Sequence, residues 1–254
     1  MASSNPAHLT QLYPISRIPM SRPLVWLSMG WDDMMHHRGA SLAWGALVSG
    51  LGALMLAYER HPYFVAAMTS GFLLLGPIIT AGLCELSRCR DEGEAANFEA
   101  SLGPLRRNRH SLVEFAQVLL LISLLWFALS ASILYWAAGE IAPTVTATVW
   151  GDVMRHLSPY QILLYIGSGG VLATIVFVLS VVTVPMIIDR HVDAGTAMRT
   201  SARVTARDLP AMLVWSALVV LLVAAGFATW LVGMVVVFPL LGHATWHAYR
   251  DLVH

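Results

Sequence analysis

Two histidines near the C-terminal end of the sequence have the spacing of paired metal ligands. His243 and His247 stand four residues apart, so on a helix their imidazole rings share one face. Neutral imidazoles placed in this way bind transition metals. No HExxH or similar pattern accompanies them. The pair therefore predicts a metal- or haem-binding membrane protein as one candidate function.

Two carboxylates and the two histidines follow the prolines of a repeated pattern. Pro77, Pro185 and Pro239 each stand toward the end of an apolar segment, and a histidine or carboxylate follows four or eight residues later. Convergence around a common axis would give a mixed metal site made of Glu85, Asp189, His243 and His247. Alternatively, the histidines belong to an interfacial belt with Trp246 and Tyr249, and pair with acidic residues of neighbouring repeats.

Three arginines form a second candidate site. Arg199, Arg203 and Arg207 recur every fourth residue, so they make one stripe along a helix. Such a stripe binds anionic lipid, at about 1 kcal/mol per arginine, or an acidic protein partner. A merely solvated charged face is the alternative. The cysteines, Cys84 and Cys89, lack the second pair that a zinc site needs, and we expect free thiols.

The composition indicates a membrane protein. The 254 residues are 57% hydrophobic and 12% charged, whereas a soluble domain carries about 25% charged residues. The formal net charge of zero gives no reason to expect nucleic acid as a partner. The long apolar segments contain no Asp, Glu, Lys or Arg. This absence argues against an ion-coupled transporter, which uses ionisable groups inside the membrane.

The apolar segments predict six membrane-spanning helices. Residues 209–249 contain no charged side chain, and one helix of that length would span about 60 Å, twice the hydrocarbon thickness of about 30 Å. The segment must fold back, and we place the turn between Gly226 and Gly233. The other four predicted spans are residues 39–58, 62–84, 115–139 and 160–185.

The predicted spans form three repeated units. Each unit consists of a surface arm and a helical hairpin, with approximate boundaries at residues 23–84, 85–188 and 189–254. Together they make a single all-α membrane domain over residues 23–254. Residues 1–22 are polar and rich in proline, which predicts a flexible tail. Residues 24–37 have an amphipathic pattern, so we expect the first arm to lie on the membrane surface.

The arginines predict the orientation of this bundle. Thirteen of them lie in the tail, in the charged connections 85–114 and 189–208, and at the C-terminus, while Arg60 and Arg155 lie on the other side. The positive-inside rule therefore places both termini and the arms in the cytoplasm. The first 38 residues contain no cleavable signal peptide, so we expect insertion to begin with the first span.

Two motifs resemble a known family. They are residues 76–83 (GPIITAGL) with the following Glu85 and Arg88, and residues 239–252 (PLLGHATWHAYRDL). They are similar to proteobacterial predicted integral membrane proteins of unknown function, some of which carry automatic labels as cytochrome c oxidase subunit I-like. The resemblance implies a bacterial inner-membrane location. It brings no established activity, so no catalytic residue follows from it.

Three functions are compatible with these observations. The uncharged bundle and the missing catalytic constellation favour a non-enzymatic accessory or scaffold subunit that accompanies a respiratory complex. The second function is metal or haem binding by His243 and His247. The third is a channel or carrier for a small neutral or lipidic solute along the axis of the repeats. We expect membrane lipid and a protein partner as binding partners, while the sequence does not indicate an oligomeric state.

Overall fold

The computed structural model describes residues 13–57, 62–138 and 158–254, and the described chain is built of α-helices. Arg60 and Arg155, on which the predicted orientation depends, lie outside these residues. In chain order the helices are α1 (Arg22–His36), α2 (Arg38–Ala57), α3 (Pro62–Asp91), α4 (Phe98–Ser101), α5 (Gly103–Arg107), α6 (Arg109–Ala138), α7 (Pro159–Ser180), α8 (Thr183–Arg190), α9 (Ala194–Arg207), α10 (Leu209–Ala228) and α11 (Met234–Leu252).

The uncharged stretch 209–249 folds back where the sequence predicts. Helix α10 ends at Ala228 and α11 begins at Met234. Between them Trp230 and Leu231 adopt positive φ angles of 53° and 67°, so two consecutive left-handed residues reverse the chain. The reversal brings the helix ends together so closely that a Cβ on Gly233 would lie 3.2 Å from the Cα of Gly226.

Three helical segments in the described part of the chain are long and apolar enough to cross a bilayer. They are Arg109–Ile133, Pro159–Arg190 and Leu209–Ala228. Much of their surface faces outward, with large apolar side chains such as Leu121, Leu163 and Leu221 more than 60% exposed. A lipid environment accommodates these side chains at no cost in hydration. The all-helical class of the described chain and the presence of helices long and apolar enough to cross a membrane are therefore confirmed.

The arms pack in a cyclic order. Helix α1 packs on α11, α4 and α5 pack on α3, and α9 packs on α7 and α8. Each arm thus contacts the second helix of a neighbouring hairpin. The hairpins also contact each other, because α3 packs against α6 and α11 against α2. We call each place where two hairpins meet a junction. The third junction, between α7 and α10, lacks comparable packing within the described residues.

One predicted span is interrupted. Residues 160–185 were expected to form one helix, but α7 ends at Ser180 and α8 begins at Thr183. Pro185 lies in the first turn of α8, where its missing N–H costs no hydrogen bond. Val182, between the two helices, has φ −122° and ψ 2°. The proline therefore starts a new helix instead of kinking a continuous one.

The first arm does not simply lie on the membrane surface. Its helix α1 turns Trp26 and Met34 into the protein, together with Asp33 and His37 from the predicted polar side. Close packing against α11 explains this arrangement, since a Cβ on Gly30 would lie 2.7 Å from the backbone nitrogen of Ala244. The opposite face of α1 remains exposed.

The end of the predicted flexible tail contacts the C-terminus. Ile15 and Val253 form an antiparallel bridge. The backbone N–H of Ser16 donates to the Leu252 carbonyl at 3.2 Å, and that of His254 donates to the Pro14 carbonyl at 3.1 Å. Residues 13–21 therefore make defined contacts, whereas residues 1–12 of the predicted tail lie outside the described residues.

The contact between α2 and α11 provides a stability prediction. A Cβ on Gly45 would lie 2.0 Å from the Val235 carbonyl oxygen, while one on Gly50 of the same helix meets nothing within 4 Å. We expect Gly45→Ala to destabilise the protein by about 1–3 kcal/mol, because the two backbones must separate. Gly50→Ala is the matched control, with a neutral or slightly stabilising effect. Thermal unfolding in detergent measures both, and equal melting temperatures would contradict the close approach of the two helices.

Candidate functional site

The four predicted metal ligands do not meet in one site. Each of Glu85, Asp189, His243 and His247 contacts its own set of partners. Within the residues that the structure describes, no group of three or more His, Cys, Asp and Glu side chains is placed to hold a metal ion. The expected convergence fails because the carboxylates pair with nearby arginine or tyrosine side chains.

His243 lies between two serines. Its Nε2 is 2.9 Å from the Ser41 hydroxyl of α2, and its Nδ1 is 2.7 Å from the Ser87 hydroxyl of α3. The side chain is fully buried. In a neutral imidazole one nitrogen donates and the other accepts, so the two serines take opposite roles. The histidine thus connects the three helices α2, α3 and α11.

His247 pairs with an acidic residue of the first arm. Its Nε2 lies 2.8 Å from Oδ2 of Asp33, whose Oδ1 accepts a hydrogen bond from Arg90 at 2.6 Å. Burial of Asp33 opposes its ionisation, but hydrogen bonds from His247 and Ser87 outweigh this effect and hold its pKa below the usual range. The carboxylate is therefore ionised at neutral pH and connects α1 to α11 and α3.

The other two predicted ligands are also occupied. Glu85 accepts two hydrogen bonds from Arg88, at 2.9 and 3.0 Å, and one from Arg107 at 2.7 Å. Asp189 accepts a hydrogen bond from the Tyr249 hydroxyl at 2.5 Å. Both carboxylates thus connect helices, but their partners are not histidines. The alternative, in which the histidines pair with acidic residues of neighbouring repeats, fits His247 with Asp33. Metal or haem binding itself stays a prediction.

Local sequence patterns do not reveal the polar partners in the first arm and the adjacent helices. Asp33 and Asp251 are the clearest cases, since Asp251 accepts hydrogen bonds from Trp26 at 2.6 Å and from Arg22 at 2.5 and 3.0 Å. The sequence feature that could indicate a buried Asp33 is its position beside a predicted apolar stripe. Its pairing with His247 spans 214 positions, so local periodicity could not reveal it.

The arginine stripe is accessible. Arg199 and Arg207 are exposed and Arg203 is partly exposed, while the opposite face of α9 buries Ala197, Ser201 and Val204 among other residues. Arg199 donates a hydrogen bond to the Thr196 hydroxyl at 3.1 Å. The stripe thus lies on the outer face of its helix. Its binding of anionic lipid or an acidic partner stays a prediction.

An apolar groove lies at the loosely packed junction. It has a volume of about 440 Å³ and separates α7 from α10, with further walls from α3 and α11. We call it the hairpin groove. Helix α10 contributes one face, with a lining residue every fourth position, namely Trp215, Val219, Val223 and Phe227. The other helices contribute Gly76, Pro77, Thr80, Phe177, Ser180, Val181, Met234, Phe238, Leu241 and Thr245.

The hydroxyl groups of the hairpin groove are already engaged. Thr80 donates to the Pro77 carbonyl, Ser180 to the Val176 carbonyl at 2.5 Å and Thr245 to the Leu241 carbonyl at 2.8 Å. Each hydroxyl therefore uses its only proton inside its own helix. The groove offers an incoming molecule apolar contacts and no free hydroxyl proton, so it suits hydrocarbon better than a sugar or an ion.

The length and composition of the helices are those of an integral membrane protein. Residues 64–189, which run from α3 through most of α8, match a family described as predicted integral membrane protein (DUF2189). The sequence-based resemblance to such a family is therefore confirmed for this part, which includes the motif at residues 76–83. Comparisons with curated proteins and with solved structures found no match.

The buried pair of Asp33 and His247 predicts acid sensitivity. The pKa of Asp33 is lower in the folded than in the unfolded protein, so its contribution is complete above about pH 4 and is lost as the pH falls through the folded-state pKa. We expect Asp33→Asn to destabilise the protein at pH 7 by about 2 kcal/mol, since Arg90 is 35% exposed and solvent weakens the pair.

Thermal unfolding between pH 7 and pH 3 tests this prediction. The melting temperature of Asp33→Asn should depend less on pH than that of the wild type. Asp32→Asn is the matched control, because the neighbouring Asp32 side chain is exposed. If both variants have the wild-type pH profile, the Asp33 carboxylate does not stabilise the fold.

Proposed function

We propose that the protein is a non-enzymatic integral membrane protein that binds one hydrocarbon chain of a lipid-like molecule in the hairpin groove. The groove is the observation that supports this function. It develops the sequence-based hypothesis of a protein for a lipidic solute, with a single defined binding position in place of a continuous path.

The position of the groove supports a hydrocarbon occupant. Two of its walls, α7 and α10, belong to segments that are apolar and long enough to cross a bilayer. Its lining on α10 extends from Trp215 to Phe227, which corresponds to about 18 Å along the helix axis. This length is more than half of the hydrocarbon core of about 30 Å. A lipid chain lying along α10 would therefore remain within the apolar layer.

The closed end of the groove supports a bound molecule rather than passage through the protein. Trp215 is 3% exposed and packs edge-on against Trp26, with ring centroids 5.6 Å apart. Beyond it lie the hydrogen-bonded side chains of the polar end. Phe227, at the other end, is 47% exposed. A hydrocarbon chain would thus enter the groove from the surrounding bilayer or at Phe227. It would end at the indole rings of Trp215 and Trp26.

The proposal includes the finer topology. Six spans arranged as three arm-and-hairpin units, with both termini in the cytoplasm of a bacterial inner membrane, agree with the cyclic packing of the arms. The described arginines of the arms and the C-terminal residues lie at one end of the bundle. The turn between α10 and α11 lies at the other end, where the Ser49 hydroxyl donates to the Leu231 carbonyl at 3.0 Å.

The remaining functional hypotheses require their own tests. An accessory or scaffold subunit should co-purify with its respiratory complex in mild detergent. A metal or haem protein should show metal by elemental analysis or a visible absorption band, and His243→Ala should remove it.

Filling the groove should displace the bound chain. We expect Val219→Phe to reduce lipid retained by the purified protein about tenfold, corresponding to about 1.4 kcal/mol, because the ring occupies the space of the chain. Lipid extracted after extensive detergent washing and quantified by mass spectrometry gives the amount per protein.

Val220→Phe is the control for this experiment. Val220 follows Val219 on the same helix, but its side chain points in another direction. It is 65% exposed and does not line the groove. The control should retain as much lipid as the wild type. Equal retention by both variants, or no retained lipid in the wild type, would exclude the groove as a specific binding site.

Cysteine labelling tests the orientation. Both native cysteines are buried, with Cys84 0% and Cys89 5% exposed, so the wild type should react little. Val232 is 72% exposed at the turn between α10 and α11, and the His110 side chain is 89% exposed at the opposite end. A membrane-impermeant maleimide should label Val232→Cys in intact cells and His110→Cys only after permeabilisation. The reverse pattern would invert the proposed topology.

A further inference from the structure

A second cavity, separate from the hairpin groove, lies between the end of α3 and the short helices α4 and α5. It has a volume of about 490 Å³, which is within the range of small-molecule sites. We call it the arm pocket. Its charged lining consists of three acidic and three basic side chains, namely Glu85, Glu94, Glu99, Arg88, Arg106 and Arg107. A cavity of balanced charge differs from the arginine stripe of α9.

The inner wall of the arm pocket is fixed by a buried carboxylate. Glu85 is 2% exposed. Its burial opposes ionisation, but hydrogen bonds from Arg88 and Arg107 outweigh this effect and keep its pKa below the usual range. A hydrogen bond of 2.7 Å to Glu85 uses one nitrogen of Arg107. Since Arg107 has no other hydrogen-bond or ion-pair partner among the described residues, its other N–H groups can bind an anion.

Two charges of the arm pocket are unused. Within the part of the chain that the structure describes, Arg106 and Glu99 have no ion-pair partner, and both line the pocket. Glu94 approaches Arg88 at 3.5 Å and is 57% exposed. The pocket therefore presents guanidinium groups from α5 and carboxylates from α4 and the preceding loop. A ligand that carried only one sign of charge would be repelled by half of this lining.

The arm pocket lies at the depth of lipid headgroups. Arg106 and Arg107 immediately precede the membrane-crossing segment Arg109–Ile133. The helix α4 beside them docks on α2, where the Trp44 indole donates to the Ser101 hydroxyl at 3.0 Å. The cavity thus lies where the polar end of the bundle meets the apolar layer, and a lipid headgroup reaches it without leaving the membrane surface.

We infer that the arm pocket binds a zwitterionic group made of a phosphate and a primary ammonium, as in the headgroup of an aminophospholipid. Arg106 and Arg107 bind the phosphate oxygens, a role that suits guanidinium groups. Glu99 and Glu94 accept hydrogen bonds from the ammonium. A trimethylated amine has no N–H to donate, so the corresponding choline headgroup binds less tightly. The inference does not depend on the hairpin groove, because the two cavities share only α3 and no lining residue.

Binding of defined lipids tests the inference. Purified protein is reconstituted in nanodiscs that contain phosphatidylcholine alone or with phosphatidylethanolamine or phosphatidylglycerol, and retained lipid is identified by native mass spectrometry. We expect phosphatidylethanolamine to be retained at least fivefold more than the other two lipids. Soluble phosphoethanolamine is tested separately as a competitor. Competition by it at millimolar concentration shows that the headgroup suffices, and its failure to compete shows that the lipid form is required.

Variants link the preference to the pocket. Arg106→Gln and Glu99→Gln should each remove the preference for phosphatidylethanolamine. Arg109→Gln, an exposed arginine outside the lining, should keep it, as should Val219→Phe. Equal retention of phosphatidylethanolamine and phosphatidylcholine by the wild type would overturn the inference. Preferential retention of phosphatidylglycerol that increases in Glu99→Gln would also overturn it, because it would identify a simple anion site.

Discussion

The structure depends on polar contacts between each arm and the second helix of a neighbouring hairpin. Asp33 of α1 pairs with His247 of α11, and Arg107 of α5 pairs with Glu85 of α3. In the third case, the Ser201 hydroxyl of α9 donates to the Val178 carbonyl of α7 at 2.7 Å. Inside a membrane protein, buried polar groups must find partners in the protein, because lipid offers none. These contacts thus determine how the hairpins are placed around each other.

The arrangement leaves one junction different from the others. Two of the three contacts between hairpins are tight, namely α3 against α6 and α2 against α11. In the second of them a glycine permits the close approach, since Gly45 meets the backbone of Val235. The junction of α7 and α10 has bulky apolar side chains instead, and the hairpin groove opens there. The asymmetry thus arises from side-chain size. It explains why the groove opens on one side of the bundle.

The sequence predicts the helices better than the site. Charge-free length and the limited thickness of a bilayer are sufficient to predict the turn between Gly226 and Gly233, because a longer rod would not fit the membrane. The break before Pro185 was missed, since a proline can either kink a helix or start one. The site required contacts between distant residues. Glu85 and His247 were chosen for a shared register, but their actual partners, Arg107 and Asp33, lie on other elements.

The contact of α1 and α2 with α11 has a consequence for biosynthesis. These first helices leave the ribosome long before α11 exists, and a chain is made at about 5–20 residues per second. During that interval Asp33 and Ser41 lack His247 and His243, the partners that they have in the finished protein. The nascent bundle therefore remains incomplete until its last hairpin has been synthesised. Until then, water or lipid headgroups must satisfy the hydrogen bonds of these two polar groups.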